Sequence, residues 1–319
     1  FSSYNVSVFN LEIKKDSQLP YLALLIGMFA ISASAILIRH STSEPLVIGS
    51  YRQAFATLIF LPFIMKDKGS ELRSQPYSTH MEMILAGILL GTHFSFFITS
   101  VKETSVAASV LLATCHVVYV SILGWFFFGE MLSKKAIIGT SISLGGIVIL
   151  FGGDLLDNPG NFTGNFFAFI SGILAGLYYL SGRKLRKTVS LPTYAFVVYL
   201  FSFLTMFSIV LIQNLTYQNL SLSEIQLFLL MALIPTLLGH TMQNWALGYL
   251  PAYIVSISLL AEPIGSGLLA WLFFQEIPSF GVILGGLIGS YLGSKKLNAY
   301  GLRITLGVVL VFATIKMYI

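Results

Sequence analysis

Long apolar runs, separated by short segments that contain charged residues, glycine or proline, follow one another along the whole chain. A membrane-crossing helix needs about 20 such residues, and no run shows the alternating pattern of a barrel strand. The pattern predicts an all-α polytopic membrane protein with ten transmembrane spans and one extra C-terminal hydrophobic helix. In chain order, spans one to ten cover 20–38, 46–65, 82–101, 106–127, 134–151, 164–182, 192–213, 225–247, 252–274 and 279–293, and the extra run covers 302–318.

The composition agrees with a protein whose solvent is lipid. Of the 319 residues, 56% are apolar and only 10% are charged, against about 25% charged residues in soluble domains. This excludes a soluble enzyme on a single anchor, a nucleic-acid-binding module and, because Cys115 is the single cysteine, a disulfide scaffold. No Walker A pattern and no convincing nucleophile–base pair occur, so neither an ATP-driven pump nor an enzyme is expected, and no cofactor is implied.

Lysine and arginine are distributed unevenly between the two sides of the predicted bundle. If the N-terminal segment 1–19 is placed in the cytoplasm, 14 of the 18 basic residues fall in cytoplasmic segments. Only Arg39 and Lys102 then lie in outside loops. Because basic residues are retained on the cytoplasmic side, this predicts a multi-pass protein of the cell membrane, with its N-terminus in the cytoplasm and the lipid bilayer as a partner.

The chain repeats itself weakly at an offset of 146 residues. The helix end from Trp125 to Glu130 recurs from Trp271 to Glu276, and Phe127 and Phe128 recur within it as Phe273 and Phe274. Each copy holds five spans, over 20–151 and 164–293. Because five is an odd number, the second copy enters the membrane from the opposite side and is therefore inverted relative to the first. Inverted repeats are typical of secondary transporters, whose binding site lies near the midplane between the copies. The first and last residues of the two helix ends are predicted to hold loops or gates in place: Trp125, Glu130, Trp271 and Glu276.

These motifs resemble those of the drug/metabolite transporter superfamily, and specifically its ten-helix EamA-type members. The resemblance rests on Glu44-Pro45 with Arg52 seven residues later, on the Trp125–Glu130 helix end, and on Ala261-Glu262-Pro263 before the second helix end. It implies two inverted five-helix halves around a central cavity, lined by spans three, four, eight and nine, with one and six also facing it. It also implies export or exchange of small metabolites, often amino acids.

The tail departs from this family pattern. From about Gly285 onward the sequence is similar instead to the end of sulfite-exporter-type permeases. The run 302–318 could cross the membrane or lie beside span ten, and the sequence leaves both open.

Ionisable groups inside a bilayer are costly and are therefore functional candidates. Glu262 lies about ten residues into span nine, next to Pro263, which removes one backbone donor and frees a carbonyl. It could bind and release protons, hold a substrate ammonium group, or be structural. The offset maps His116 of span four onto Glu262, so the two could face each other across the pseudo-twofold axis. Tyr119 is predicted to share the helical face of His116.

A second set of polar residues lies in spans three and eight. His240, Gln243 and Asn244 have helical spacing and are predicted to line the cavity together, with interhelical hydrogen bonding as the alternative. His93 of span three could join them. These histidines lack the companions of a zinc site, so no metal is expected.

Arg52 lies roughly 9 Å into span two at 1.5 Å per residue. It could extend outward, pair with Glu44 or Glu103, or bind a substrate carboxylate, and a structural role is favoured. The resemblance places three further residues on cavity-facing helices: Ser34, Tyr178 and Tyr179.

The sequence thus predicts a secondary transporter that exports or exchanges small neutral or zwitterionic metabolites, amino acids foremost, by alternating access. The scarcity of fixed cations argues against a polyphosphate cargo. Proton coupling is left open. Two alternatives also remain: a multidrug efflux protein for lipophilic cations, and a non-transporting membrane scaffold.

Overall fold

The protein is described by a computed structural model that covers residues 18–129, 162–215, 217 and 220–276. Over these ranges it is helical without strands, and eight helices are long and apolar enough to cross a membrane. They are α1 (Leu19–His40), α2 (Pro45–Ser74), α3 (Tyr77–Glu103), α4 (Val106–Phe128), α5 (Phe162–Leu185), α6 (Leu191–Ile212), α7 (Leu222–Leu247) and α8 (Ala252–Phe274).

These helices coincide with spans one to four and six to nine, so the all-helical membrane class is confirmed. Spans five and ten, the run 302–318 and nearly all of the segment 1–19 lie outside the described residues. α2 extends well beyond the predicted end of span two, through a wide turn over Ile64–Lys68 and a polar last turn that ends at Ser74. Apolar periodicity cannot detect such an extension, because its residues are polar.

Most helix ends have a recognisable local cause. α2 begins at Pro45, whose missing N–H is not needed in the first turn. The Ser105 and Ser221 side chains cap α4 and α7 by accepting a backbone N–H from the first turn. α4 ends at Gly129 in the left-handed conformation, and α8 ends at Gln275 in the same conformation.

Helix packing leaves an apolar outer surface and a largely apolar interior that also encloses many polar side chains. α3 packs along both α5 and α6, α2 packs along α6, and α1 packs along α7. On α1, the side chains of Leu22, Ile26 and Phe29 lie on one exposed stripe, as expected for a lipid-facing surface. The buried residues include many polar and charged side chains, Arg52 and Glu262 among them.

The contact between α3 and α6 depends on two glycines one helical turn apart. A Cβ atom at Gly91 would lie 2.7 Å from the carbonyl oxygen of Ser202, and one at Gly87 would lie 2.8 Å from that of Val198. Small residues at this spacing let two helix backbones approach closely in membranes.

Gly91→Ala is therefore expected to lower the free energy of unfolding by about 1–3 kcal/mol, since backbone atoms must move apart. Gly176→Ala on α5 is the matched control, because its Cβ would meet nothing closer than 3.5 Å. Both variants gain the same helix propensity from alanine. Thermal unfolding of the purified protein in detergent measures the difference, and equal stability of the two variants would contradict close packing at Gly91.

Several helices are interrupted part-way along. α1 is broken at Ala33, and α4 is broken by a turn at Thr114 and Cys115. α8 contains a tight 3₁₀ turn over Leu259–Ala261. α7 widens into a π-helix over Ala232–Thr241. The second halves of α4 and α8 consequently begin at His116 and Glu262, the two residues related by the repeat offset.

Contacts between loops define two ends of the bundle. At the Ser41 end, the α1–α2 loop (41–44) meets the beginning of α7, and the beginning of α4 meets the residues that follow α8. At the opposite Ser190 end, the last turn of α2 meets the α5–α6 loop (186–190). α4 and α8 therefore run in opposite directions between the two ends.

Candidate functional site

Arg52 is the charged centre of the bundle. It is completely buried; its Nε donates to Thr236 Oγ1 at 2.7 Å, and its Nη1 donates to Ser34 Oγ at 3.0 Å. Its Cζ lies 4.2 Å from the centre of the Phe94 ring. Arg52 thus connects α2 to α1, α3 and α7. Its Nη2 is buried and has no hydrogen-bond partner among the residues described.

The acidic partners predicted for Arg52 are the wrong ones. Glu44 and Glu103 are exposed at the Ser41 end, whereas Arg52 is enclosed. The carboxylate within electrostatic range of Arg52 is that of Glu262. The sequence could not indicate this proximity, because the two residues are 210 positions apart and approach each other only in the folded bundle.

Glu262 begins the second half of α8 directly after the 3₁₀ turn, and it is only 8% exposed. Pro263 occupies the first turn of this half, where its missing N–H costs no hydrogen bond. Over the described ranges the Glu262 carboxyl forms no ion pair, although Arg52 and Tyr179 lie within electrostatic range. Two opposite charges therefore lie near each other in the interior without direct contact.

The histidines lie near this pair but are not equivalent. His93 Nδ1 lies 2.9 Å from the Ser171 carbonyl oxygen, which assigns the proton to that nitrogen. The ring of His240 packs edge-on against Phe94 at 5.1 Å, and its centre lies 6.5 Å from that of His93. Within the described ranges, no three metal-ligating side chains come together.

His116, like His93, packs against α5. Its Nδ1 lies 3.0 Å from the Ala113 carbonyl oxygen of its own helix, and its ring packs 5.3 Å from that of Tyr179. Its Nε2 is buried without a partner in the described part of the chain. Tyr179 therefore connects the two repeat-related residues, because it contacts His116 and lies within electrostatic range of Glu262.

The polar face predicted on α7 is buried as a group. Asn244 Nδ2 donates to the Tyr178 hydroxyl at 2.5 Å. Gln243 approaches α1 at Gly27, and its amide has no hydrogen-bond partner among the described groups. The hydroxyls of Tyr199 and Thr241 are 2.8 Å apart beside them. Sequence reasoning missed this second pair, since Tyr199 stands in an otherwise apolar span and the π-helix moves Thr241 inward.

Tyr119 does not join the central group. Its backbone lies near Gly176 together with that of His116, but its ring packs against Phe169 and stays partly exposed. The turn at Thr114 and Cys115 lies just before these residues.

The predicted end residues are only partly described. Glu276 Oε1 accepts the backbone N–H of Val106 at 2.9 Å, so it stabilises the beginning of α4. Trp125 and Trp271 lie in the last turns of α4 and α8, and Trp125 is 54% exposed. Glu130 lies outside the described residues.

Membrane-competent helices around a buried cluster of charged and polar side chains define a membrane transport protein. The chain belongs to the EamA-like transporter family, whose model matches residues 18–152 and again residues 162–293. The resemblance predicted from the motifs is thereby confirmed, and the function is that of a membrane transporter of small molecules.

Individual relatives agree with this assignment. The chain is similar to the "Uncharacterized transporter YdfC" of Bacillus subtilis (strain 168), with 23% identity over 291 residues that span 86% of this chain and 91% of that relative. A protein of known crystal structure superposes with a TM-score of 0.63 over 86% of this chain and 95% of its own. At 17% identity this second likeness concerns the fold alone.

Proposed function

We propose that this protein is a secondary transporter that exports or exchanges small neutral or zwitterionic metabolites, amino acids foremost, by alternating access. The observation that carries the proposal is the buried opposition of Arg52 and Glu262. A zwitterion has one group for each of these charges: its carboxylate suits the unpartnered Nη2 of Arg52, and its ammonium group suits the Glu262 carboxyl.

Unpartnered polar atoms around the two charges support a polar ligand. Arg52 Nη2, His116 Nε2, His240 Nδ1 and the Gln243 amide are buried without hydrogen-bond partners in the described ranges. An unmade hydrogen bond in an interior costs roughly 1–3 kcal/mol, so a ligand that supplies the missing partners recovers this free energy. Aromatic groups beside them, Tyr178 and Tyr179 among them, suit a ligand that is partly apolar.

We also propose the architecture of two inverted five-helix halves, over 20–151 and 164–293, which together form ten spans. The equivalent breaks in α4 and α8, the left-handed residues at Gly129 and Gln275, and the two separate matches to the family model support it. The distribution of lysine and arginine supports a cytoplasmic N-terminus, which places the Ser41 end outside and the Ser190 end in the cytoplasm. The run 302–318 adds one further hydrophobic helix.

Glu262 is proposed as the residue that couples transport to protons. It is an ionisable group at a helix break near the predicted midplane, within electrostatic range of both Arg52 and Tyr179. A carboxyl that binds a proton on one side and releases it on the other exchanges protons for substrate. His93 and His240 both pack against Phe94, the ring on which Arg52 stacks, so they belong to the same buried polar region.

Purified protein in proteoliposomes tests the function directly. A panel of labelled amino acids is offered with and without an imposed pH gradient, and protein-free liposomes serve as the control. We expect saturable movement of one or a few amino acids that depends on the gradient. Movement of lipophilic cations alone would establish the efflux alternative, and no movement of either class would support a scaffold.

A further inference from the structure

Glu224 fastens the α1–α2 loop at the Ser41 end. Its carboxylate accepts hydrogen bonds from the hydroxyls of Ser41, Thr42 and Ser43, the last at 2.7 Å, and from the backbone N–H of Thr42 at 2.9 Å. Lys102 adds a hydrogen bond from its ammonium group to the Ser41 carbonyl oxygen. Glu224 lies in the second half of the chain, and the loop that it holds lies in the first half.

Glu71 makes the corresponding contact at the Ser190 end. Its carboxylate accepts the backbone N–H of Ser190 at 2.8 Å, the Ser190 hydroxyl at 2.6 Å and the Thr193 hydroxyl at 3.1 Å. Lys68 lies 3.3 Å from the same carboxylate. In this case the acid lies in the first half of the chain and the loop lies in the second half.

The two contacts are related by the internal repeat. An offset of 147 residues places Pro45 on Pro192, and it therefore places the 41–43 loop on 188–190. Glu71 lies in the last turn of α2 and Glu224 lies in the first turn of α7, so each acid is at one end of the segment that joins the second helix of a half to its third. Each acid thus holds the first loop of the opposite half, once at each end of the bundle. Loop position and hydrogen-bond pattern repeat, although the two glutamates themselves are not aligned by the offset.

We propose that Glu224 and Glu71 are the two latches that close the opposite ends of the transport path. The proposal rests on alternating access as proposed above, in which one end opens while the other stays closed. A bundle with both latches formed is closed at both ends. Opening one end requires its carboxylate to leave its serine and threonine partners, while the other latch keeps the two halves together.

The latches are unequal, and this predicts which end opens first. Glu224 is buried, with 7% of the residue exposed, whereas Glu71 is only half-buried. A cavity of about 400 Å³ adjoins Glu71, and its wall includes Lys68, Arg186 and Lys187. Burial lowers the pKa of Arg186 to about 10, which leaves it charged at neutral pH. Water in this cavity and the basic side chains of its wall can therefore compete with Ser190 and Thr193 for the Glu71 carboxylate, so the Ser190 end is the first to open.

Hydrogen exchange tests the latches without any knowledge of the substrate. The variants are Glu71→Gln and Glu224→Gln, and exchange is followed by mass spectrometry in peptides that cover 39–46 and 186–194. We expect Glu71→Gln to speed exchange in 186–194 by about tenfold or more, because a charge-assisted hydrogen bond to the Ser190 N–H is weakened, and to leave 39–46 unchanged. Glu224→Gln should do the reverse.

Two matched control variants make the same glutamate-to-glutamine change away from the latches, one at each end of the bundle. Glu82→Gln removes an exposed ion pair with Lys184 at 2.7 Å, which also joins the two halves, and Glu44→Gln changes an exposed acid in the held loop. Both should leave exchange unchanged, since exposed ion pairs contribute little. In wild-type protein, 186–194 should exchange faster than 39–46. Equal effects of latch and control variants would overturn the proposal.

A covalent latch distinguishes closure from simple loss of folding. In a Cys115→Ala background, Glu71→Cys with Ser190→Cys should form an oxidised cross-link that stops transport, and a reductant should restore it. Full transport by the cross-linked protein would refute the latch. If no cargo moves even in wild-type protein while the exchange pattern is as expected, the latches stand and the proposed transport function fails.

Discussion

Glu262→Gln is expected to abolish transport driven by a pH gradient, whereas exchange of substrate for substrate should persist with weaker substrate binding, because the amide oxygen of glutamine can still accept a hydrogen bond from an ammonium group. Glutamine has the size of glutamate and can occupy the same place at the start of the second half of α8, but it cannot release a proton. A gradient of one pH unit, worth about 1.4 kcal/mol per coupled proton, supports about tenfold accumulation. In the variant this accumulation should fall to simple equilibration across the membrane.

The measurement is concentrative uptake into proteoliposomes with and without the gradient, followed by counterflow in the same preparation. Glu103→Gln is the matched control, because Glu103 is an exposed acid at the Ser41 end. Preserved accumulation in Glu262→Gln would remove Glu262 as the coupling residue. Loss of both accumulation and counterflow would instead assign it to substrate binding.

Arg52→Gln is expected to cause the largest combined loss, in both transport and stability. The side chain gives two charge-assisted hydrogen bonds, to Thr236 and Ser34, and stacks on Phe94. Each such hydrogen bond contributes about 1.5–3 kcal/mol, and the stacking contributes up to about 2 kcal/mol. Relief of the burial cost of the charge offsets part of this, so a net loss of about 3 kcal/mol is expected.

Arg52→Lys separates charge from shape. Lysine keeps the positive charge, but a single ammonium group cannot reproduce the planar fork that reaches α1 and α7 at once. We expect it to restore part of the stability and to leave transport at least about tenfold below wild type, because the unpartnered Nη2 is lost. Arg73→Gln, an exposed arginine in the same helix, is the matched control and should change neither quantity.

A double-mutant cycle tests whether Arg52 and Glu262 act on each other. The free energies of unfolding of Arg52→Gln, Glu262→Gln and the double variant should be non-additive by about 1 kcal/mol or more, with the double variant more stable than the sum predicts. Strict additivity would show that the two charges do not stabilise each other, and it would weaken the proposed zwitterion site.

Local sequence patterns were sufficient to predict the helices but not the breaks within them. Eight apolar runs became α1–α8, because lipid offers no hydrogen bonds and a helix satisfies its own backbone. The predicted end of span two was too early, since its last turn is polar. The break before Glu262 could be suspected from Pro263, whereas no proline marks the equivalent turn before His116.

The candidate site divides in the same way. His93, His116, His240, Asn244 and Glu262 were predictable individually, because buried polar groups in an apolar span need partners or a ligand. Their partners were not predictable: Arg52 contacts Thr236, Ser34 and Phe94 rather than Glu44 or Glu103, and the ring of Tyr119 packs against Phe169. Tyr199, Glu71 and Glu224 gave no signal, since a tyrosine in an apolar run and an acid in a loop are ordinary features.

The amino-acid sequence by itself determined that this chain is a helical membrane protein, which helices form, and which family it belongs to, because these follow from hydropathy and motifs a few residues long. Only the tertiary structure decided that Arg52 and Glu262 lie within electrostatic range of each other and that Glu224 and Glu71 each hold a loop of the other half. These pairs of residues are about 120 to 210 positions apart. Their proximity depends on how whole helices pack, and the short-range periodicity of the sequence carries no information about that packing.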